Sequence, residues 1–201
     1  MALVNAIRKN LGVSAKEPAQ RICAAIACLT LLVFGAICVG TVVAAEESPQ
    51  VLEQRVKAAF LFKFGGYVEW PDSAFPSKDL PLVIGVAGAD VLAEELSQVV
   101  AGRTMNGRPV TVRRVRTGEP LSNVHVLFVS RSEIGRMNEL LAQARPILTV
   151  TDVEKGLAQG SVINFVVVDN RVRFEVSLDA AKRSGLKISA PLLSVAMRVQ
   201  E

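Results

Sequence analysis

The sequence predicts an α/β fold: a single layered domain with a largely parallel central sheet flanked by helices, and an antiparallel hairpin near the C-terminal part. The first observation is a set of continuous apolar runs, such as residues 82–88 and 124–129, which are typical of strands buried on both faces. The second is that segments of about ten residues with helical periodicity alternate with these runs. The third is Asp169-Asn170, a two-residue turn signal between two strand-like segments.

The first predicted helix, from about residue 50 to residue 64, is the segment around which the core should form. The chain has ten aromatic residues, and five of them lie within residues 56–71. Large apolar side chains recur every four positions, which predicts one buried helical face, formed by Leu52, Val56, Phe60 and Phe64. Gly65-Gly66 is expected to end this helix, because glycine adopts positive φ at no steric cost.

The remaining elements follow in chain order after a proline-containing surface loop over residues 70–81. They are a strand at 82–88, a helix capped by Asp90 and ended by Gly102, a turn at Asn106-Gly107, strands at 110–115 and 124–129, a helix at 132–144 capped by Ser132, a strand at 147–151, a brief helix capped by Asp152, strands at 162–169 and 171–177, a short helix at 178–184 and a final helix at 191–199.

Residues 1–45 are predicted to be an export signal. Basic residues precede a long apolar run over 22–43, and Val43-Ala44-Ala45 offers a cleavage site for a signal peptidase before Glu46. The alternative is an uncleaved membrane anchor, since a run of this length is enough to cross a bilayer. Both interpretations place the domain of residues 46–201 outside the cytoplasm.

Charge and cysteine content narrow the function classes further. The formal net charge is +4, but residues 1–45 hold four of the 23 basic residues and one of the 19 acidic residues, so the exported part is nearly neutral. A nucleic-acid partner is therefore not expected. All three cysteines, Cys23, Cys28 and Cys38, lie in the leader, so no disulfide is expected in residues 46–201.

No residue pattern predicts a catalytic set, a cofactor or a metal. His125 is the only histidine, and within an apolar strand it is expected to be structural. Residues 85–90 occupy the position of a phosphate-binding turn but lack the glycine spacing of one. A run of five arginines is interpreted as charges at a sheet edge, with a patch for an acidic partner as the alternative: Arg103, Arg108, Arg113, Arg114 and Arg116.

Motifs at both ends of the domain resemble the YfiR-like family of exported bacterial proteins. The opening helix and turn match it at residues 57–61 and 68–71, the closing segment matches at 185–189 and 192–193, and the resemblance covers roughly residues 50–200. The motif residues, interpreted as core and not as catalytic, are Lys57, Ala58, Ala59, Phe60, Leu61, Tyr67, Val68, Glu69, Trp70, Pro71, Gly185, Leu186, Ile188 and Ser189.

The resemblance implies a homodimeric, non-enzymatic periplasmic regulator. Such a protein binds and represses the periplasmic sensory part of an inner-membrane diguanylate cyclase, which lowers cyclic-di-GMP signalling and restrains biofilm formation. The cysteine pairs of some relatives are missing here, so redox control is not carried over. Two alternatives stay open: an accessory protein of a membrane histidine kinase, and a small-ligand-binding protein with a crevice at the carboxyl ends of its strands. Contact regulation should leave an exposed apolar patch, whereas ligand binding should leave a concave pocket.

Overall fold

The computed structural model describes residues 48–77, 79–143 and 146–201, which belong to one compact unit, Glu47–Glu201. Among these described residues, no helix has the length and apolarity needed to cross a membrane. The predicted leader, its apolar run and its cleavage site lie outside them.

The described elements alternate between strands and helices. In chain order they are α1 (Pro49–Gly66), β1 (Val68–Glu69), β2 (Leu82–Ala87), α2 (Asp90–Val100), β3 (Thr104–Met105), β4 (Arg108–Arg114), β5 (Val126–Val129), α3 (Met137–Gln143), β6 (Leu148–Thr151), β7 (Ile163–Val168), β8 (Arg171–Ser177), α4 (Leu178–Arg183), β9 (Lys187–Ile188), α5 (Ala190–Ser194) and β10 (Arg198–Gln200). Short 3-10 segments lie at Asp72–Ala74, Arg131–Arg136 and Gly156–Gln159.

Eight strands form the main sheet in the order β10-β8-β7-β6-β5-β2-β4-β3. The pairs from β4 through β2, β5 and β6 to β7 are parallel, as are β10 and β8, while β7–β8 and β3–β4 are antiparallel hairpins. The predicted α/β architecture with a largely parallel sheet is therefore confirmed. A separate antiparallel pair joins β1 to β9 and brings the opening and closing motifs together.

Helices cover both faces of the sheet. Along β5, Val126 and Phe128 point to the side covered by α1 and α2, whereas Leu127 and Val129 point to the side covered by α3. This alternation follows from the two-residue period of a strand, and it explains why the parallel strands read as continuous apolar runs.

The turn at Asp169-Asn170 agrees with the sequence prediction. Both residues have positive φ, 50° and 56°, as a two-residue turn of type I′ requires, and it connects β7 directly to β8. Asn106 and Gly107 form the equivalent turn between β3 and β4, with φ of 51° and 79°.

The C-terminal segment differs from the prediction of a single final helix. Helix α5 ends at Ser194, and the chain then forms β10, which runs parallel to β8. The backbone N–H of Met197 donates to the carbonyl of Phe174, which starts this pairing. The free edge of β8 offers backbone hydrogen bonds that a helical pattern in a nine-residue window cannot anticipate.

The end of α1 also differs from the prediction. The helix includes both Gly65 and Gly66, and it ends where the N–H of Tyr67 donates to the carbonyl of Phe64. A Cβ at Gly65 would lie 2.9 Å from the sulfur of Met105 and 3.3 Å from Leu82. Gly65 therefore allows the helix to pack closely against these two side chains, and it does not serve a positive φ.

Candidate functional site

Helix α1 buries a different face from the one its apolar spacing predicts. Its buried residues include Lys57, Ala58, Leu61 and Phe64, whereas Leu52 is 53% exposed. Of the predicted stripe, only Phe64 is fully buried, and the face is rotated by about one residue at its N-terminal end. The prediction that Leu52 belongs to the core face is wrong, because this part of the helix lies beside a hairpin and not over the sheet.

The C-terminal half of α1 carries the aromatic centre of the core. The ring of Phe64 lies 5.0 Å from that of Phe174 and 5.7 Å from that of Phe165, measured between centroids. Phe60 is half-buried and contacts the same two rings at 5.5 and 6.1 Å. Offset and edge-to-face pairs of this kind each stabilise a fold by about 0.5–1.5 kcal/mol beyond burial.

The buried cation of α1 is Lys57, whose side chain is only 2% exposed. Its Nζ lies 2.7 Å from Oε1 of Glu53, one turn earlier, and donates to Oδ2 of Asp152 at 2.8 Å. The second oxygen of Asp152 accepts the backbone N–H of Arg131 at 3.1 Å. These contacts fasten α1 to the segment that follows β6. A buried ammonium is tolerated only when paired in this way.

A crevice lies where β2, β5 and β6 end, and we call it the carboxyl-edge crevice. The chain passes from β4 to β5 across β2, so the crevice is at a topological switch point, the usual ligand position in open α/β sheets. Its volume is about 610 Å³, and its lining includes Lys57, Gly88, Ser130, Ser132 and Asp152.

The polar groups of the carboxyl-edge crevice largely satisfy one another. The hydroxyls of Ser130 and Ser132 both donate to the carbonyl of Gly88 at 2.8 Å. This carbonyl belongs to the turn over residues 85–90. Asp90, expected to cap α2, instead lies 3.3 Å from the guanidinium of Arg114, and Ala89 precedes the helix without a side-chain cap.

Two other predicted caps also have different roles. Ser130, and not Ser132, accepts the backbone N–H that starts the 3-10 segment before α3. Asp152 caps no helix, because both of its carboxylate oxygens are engaged by Lys57 and Arg131. Asp152 thus makes a long-range contact because the buried ammonium of Lys57 needs a counter-charge.

A second concave region lies between α1 and the end of the β7–β8 hairpin. Strand β6 ends at Thr151, opposite Asn164, so the last residues of β7 and the first of β8 project beyond it. The groove beside this projection has a volume of about 820 Å³. Its lining is mostly apolar and includes Leu52, Val56, Phe60, Val167, Val172, Arg171 and Arg173.

An adjoining concavity of about 560 Å³ shares Arg171 and Arg173 with this groove and adds Val168, Val195 and Met197. We call the two together the hairpin surface. Nine large hydrophobic side chains are exposed in the described residues, and five of them line the hairpin surface, namely Leu52, Val167, Val168, Val195 and Met197. Exposed apolar area is therefore concentrated at this end of the domain.

The two arginines of the hairpin surface are exposed and form no ion pair with any described residue. Other arginines differ: Arg114 contacts Asp90 and Glu94, Arg136 contacts Glu133, and Arg198 donates to Glu175 at 2.9 Å. The hairpin surface thus combines apolar side chains with unpaired positive charge. This combination is typical of protein–protein contact regions, in which arginine is enriched.

His125 has a structural environment. Its Nδ1 accepts the N–H of Val83 at 3.1 Å, its Nε2 lies 3.0 Å from the carbonyl of Ala74, and Phe75 stacks on the ring at 4.2 Å between centroids. Burial lowers the pKa of His125 below its ordinary value of 6.5, with a smaller contribution from the nearby charge of Arg108. A neutral imidazole with both nitrogens engaged connects the surface loop to the sheet.

The predicted arginine run lies along the sheet edge formed by β3 and β4, and most of it is used locally. Arg108 donates to the carbonyls of Ser77 and Leu80 and lies 4.2 Å over the ring of Phe75, while Arg113 donates to the carbonyls of Pro120 and Ser122. Arg103 lies over Phe62, 5.5 Å from the ring centroid. These contacts favour the structural interpretation of the run.

The residues of the two sequence motifs fall into three groups by exposure. Buried residues are Lys57, Ala58, Leu61, Val68 and Leu186, and half-buried ones are Ala59, Phe60, Trp70, Pro71, Ile188 and Ser189. Tyr67, Glu69 and Gly185 are exposed, which differs from a core position. Val68 pairs with Ile188 and Glu69 with Lys187, so the two motifs meet through β1 and β9.

Sequence reasoning considered a crevice at the carboxyl ends of the strands without naming its residues, and it did not locate the hairpin surface. The i,i+4 spacing of Glu53 and Lys57 signals a helix ion pair, but nothing local announces that Asp152, 95 positions away, completes it. Arg171 and Arg173 alternate with apolar residues along β8, which signals that they share one face. Within the described residues, no group of three His, Cys, Asp or Glu side chains could hold a metal ion.

Comparisons with known proteins support the same fold and identify the family. Residues 54–197 match the family described as DUF4154, YfiR/HmsC-like. A crystal structure of a conserved domain protein from Vibrio cholerae is similar with a TM-score of 0.51 and 10% sequence identity, covering 73% of this chain. This chain spans 60% of the length of that structure. A search of curated proteins found no match.

At that identity the Vibrio protein supports the fold alone, whereas the family match extends over most of the domain and includes both sequence motifs. Members of the matched family are regulators of membrane diguanylate cyclases and are regulatory, not catalytic, proteins. The chain belongs to the YfiR/HmsC-like family.

Proposed function

We propose that this protein is a periplasmic regulator that binds and represses the periplasmic sensory part of an inner-membrane diguanylate cyclase. The family match supports the class of partner. The observation that carries the mode of action is the hairpin surface, whose two adjoining concavities are lined by five of the nine large hydrophobic side chains that are exposed among the described residues. A partner that covered this surface would remove apolar area from water, which is the main driving force of association.

Repression by contact is a linkage effect. The regulator must bind the inactive state of the cyclase more tightly than the active state, and an affinity difference of about 2.7 kcal/mol keeps a partner ~99% inactive from an even starting equilibrium. A single interface with a few well-buried side chains supplies this difference. Repression therefore needs no catalytic group, in accord with the paired polar groups of the carboxyl-edge crevice.

Location and assembly are part of the proposal. Residues 1–45 direct export, so residues 46–201 act in the periplasm, and the domain forms a homodimer as its resemblance to the family implies. Sedimentation of the purified protein at micromolar concentration measures the assembly, and a species of monomer mass alone would remove the dimer. Mass spectrometry of the periplasmic and membrane fractions decides between a mature N-terminus at Glu46 and an uncleaved anchor.

The function is tested by deleting the gene in its host and measuring cyclic-di-GMP and surface attachment. Both should rise, the rise should disappear when the repressed cyclase is deleted as well, and a leaderless copy should fail to complement. Unchanged cyclic-di-GMP, under conditions in which the protein is expressed, would contradict the cyclase proposal. An altered phosphorylation state of a membrane histidine kinase would then favour the kinase alternative.

A second candidate function is binding of a small molecule in the carboxyl-edge crevice. Its support is the position of the crevice at the switch point between β2 and β5 and its volume of about 610 Å³. Calorimetry of the purified chain with amino acids, small carboxylic acids and inorganic phosphate tests it. Saturable heat that disappears in a Ser132→Phe variant would support this function, and its absence at millimolar concentrations would remove it.

A further inference from the structure

We infer that the segment of the partner that occupies the hairpin surface is amphipathic and acidic, with apolar side chains in the groove of α1 and carboxylates on Arg171 and Arg173. This inference rests on the proposed function and specifies the chemistry of its partner. It follows from the positions of the two arginines and from the charges around them.

Arg171 and Arg173 occupy alternate positions at the start of β8, so their side chains leave the same face of the strand, about 7 Å apart along it. They are the residues common to both concavities of the hairpin surface. Val172, between them, packs on the face of the sheet that α1 covers, so the two guanidiniums leave the opposite face, on the side of Val168. A partner that covers both concavities must therefore pass over the edge of β8 and contact the guanidiniums.

The protein itself offers these guanidiniums little compensation. Glu53 lines the groove, but its carboxylate lies 2.7 Å from the ammonium of Lys57. Asp169, in the exposed turn, lines the adjoining concavity and forms no ion pair with any described residue. The local charge is therefore positive, with two unpaired arginines against one unpaired aspartate.

Covering two unpaired guanidiniums with an apolar segment would remove their hydration without replacement, which strongly disfavours binding. Carboxylates provide that replacement, because a guanidinium donates two parallel hydrogen bonds to a carboxylate. Complementary charge also accelerates encounter in a manner that salt screens. The observed charge thus selects an acidic partner segment over a neutral or basic one.

A second copy of this chain fits the hairpin surface less well. A twofold contact centred on this surface would bring it against itself, so four guanidiniums would face two aspartates from the two copies of Asp169. Such an arrangement leaves like charges close together in an apolar setting. The occupant is therefore a different protein, and dimerisation uses another part of the domain.

The test is charge reversal in the full-length chain, assayed in the host by cyclic-di-GMP. The double variant Arg171→Glu/Arg173→Glu should lose repression and bind the detergent-solubilised cyclase at least about 100-fold more weakly, because attraction becomes repulsion. The matched control, Lys182→Glu/Arg183→Glu, makes the same change of charge at exposed positions of α4 and should repress normally. A third variant, Arg171→Gln/Arg173→Gln, neutralises the site and should show an intermediate loss.

Two further measurements separate charge from folding. Thermal melts should show both glutamate variants folded, and raising the salt concentration should weaken the wild-type complex more than the neutral variant's complex. Acidic-to-basic substitutions in the periplasmic part of the cyclase should restore repression by the reversed variant.

Normal repression by Arg171→Glu/Arg173→Glu would overturn this inference but not the proposed function. A gene deletion without effect on cyclic-di-GMP would overturn both the inference and the proposed function. If the reversed variant were instead to lose only self-association, the occupant would be a second copy and the inference would be wrong.

Discussion

The carboxyl-edge crevice and the hairpin surface lie on two sides of the same helix, and they differ in how their charges are paired. In the crevice, Lys57 contacts Glu53 and Asp152 at 2.7 and 2.8 Å. On the hairpin surface, Arg171 and Arg173 have no ionic partner among the described residues. The crevice contacts hold the domain together, whereas the hairpin surface retains groups available to another molecule.

The apolar residues of α1 show the same contrast. Phe64 is buried against Phe165 and Phe174, while Leu52, three turns earlier, is 53% exposed. A helix that was only a core element would bury both, since its apolar spacing is continuous from one to the other. The exposure of Leu52 therefore agrees with the proposed intermolecular contact.

Replacing the buried lysine should be among the two largest effects on stability. Lys57→Met removes the only ammonium between two carboxylates and should lower the free energy of unfolding by about 3–5 kcal/mol, because Asp152 is left with an uncompensated, mostly buried charge. Lys63→Met, at an exposed position of the same helix, is the control and should change it by less than about 0.5 kcal/mol.

Urea melts measure both variants. The double variant Lys57→Met/Asp152→Leu should recover part of the loss, since an apolar pair needs no charge compensation. A loss under about 1 kcal/mol for Lys57→Met would mean that the crevice contacts are as dispensable as surface ion pairs, and the contrast between the two regions would fail.

The second prediction compares two aromatic residues at the boundary between core and hairpin surface. Phe64→Ala should cost about 3–5 kcal/mol, as large core truncations do. Phe60 is half-buried and lines the groove, so Phe60→Ala should lower the free energy of unfolding by less, about 1–3 kcal/mol. Equal costs in urea melts would indicate that the groove is packed like the core.

The third prediction concerns pH and lies outside both regions. The folded-state pKa of His125 is lowered by burial from its unfolded value of 6.5, so the unfolded chain binds a proton more readily. The resulting stability is fully present above about pH 6.5 and is lost as the pH falls below that value, toward the folded-state pKa.

Thermal melts of the wild type and of His125→Gln across this range measure the effect. The wild type should lose stability between neutral and mildly acidic pH, and the variant should show a flatter profile, although it loses the hydrogen bonds to Val83 and Ala74. An identical acid slope in the two proteins would show that another group titrates there.

The smallest effect on stability is expected on the hairpin surface. Leu52→Asp and Val167→Asp change exposed positions and should alter the free energy of unfolding by about 0.5 kcal/mol or less. Both should nevertheless raise cyclic-di-GMP in the host, because a carboxylate in the groove disfavours an apolar, acidic occupant. Ile134→Asp, equally exposed but away from this surface, is the control and should repress normally. Normal repression by both groove variants would remove the hairpin surface as the docking site.

The elements with local signals could be predicted from the amino-acid sequence. Continuous apolar runs predicted the buried parallel strands, Asp169-Asn170 predicted the β7–β8 turn, and the two terminal motifs indicated the family. These signals operate within a few residues, where steric limits and strand periodicity act without help from the rest of the chain.

Three features depend on the assembled fold: which face of α1 is buried, where the C-terminal segment pairs and which charges meet. Leu52 and Phe64 have the same spacing pattern, yet only Phe64 lies over the sheet. The segment after Ser194 forms β10 because β8 offers it a free edge. Lys57 pairs with Asp152, which lies 95 positions later in the chain. Such pairings depend on how the sheet orders its strands, and no local pattern specifies that order.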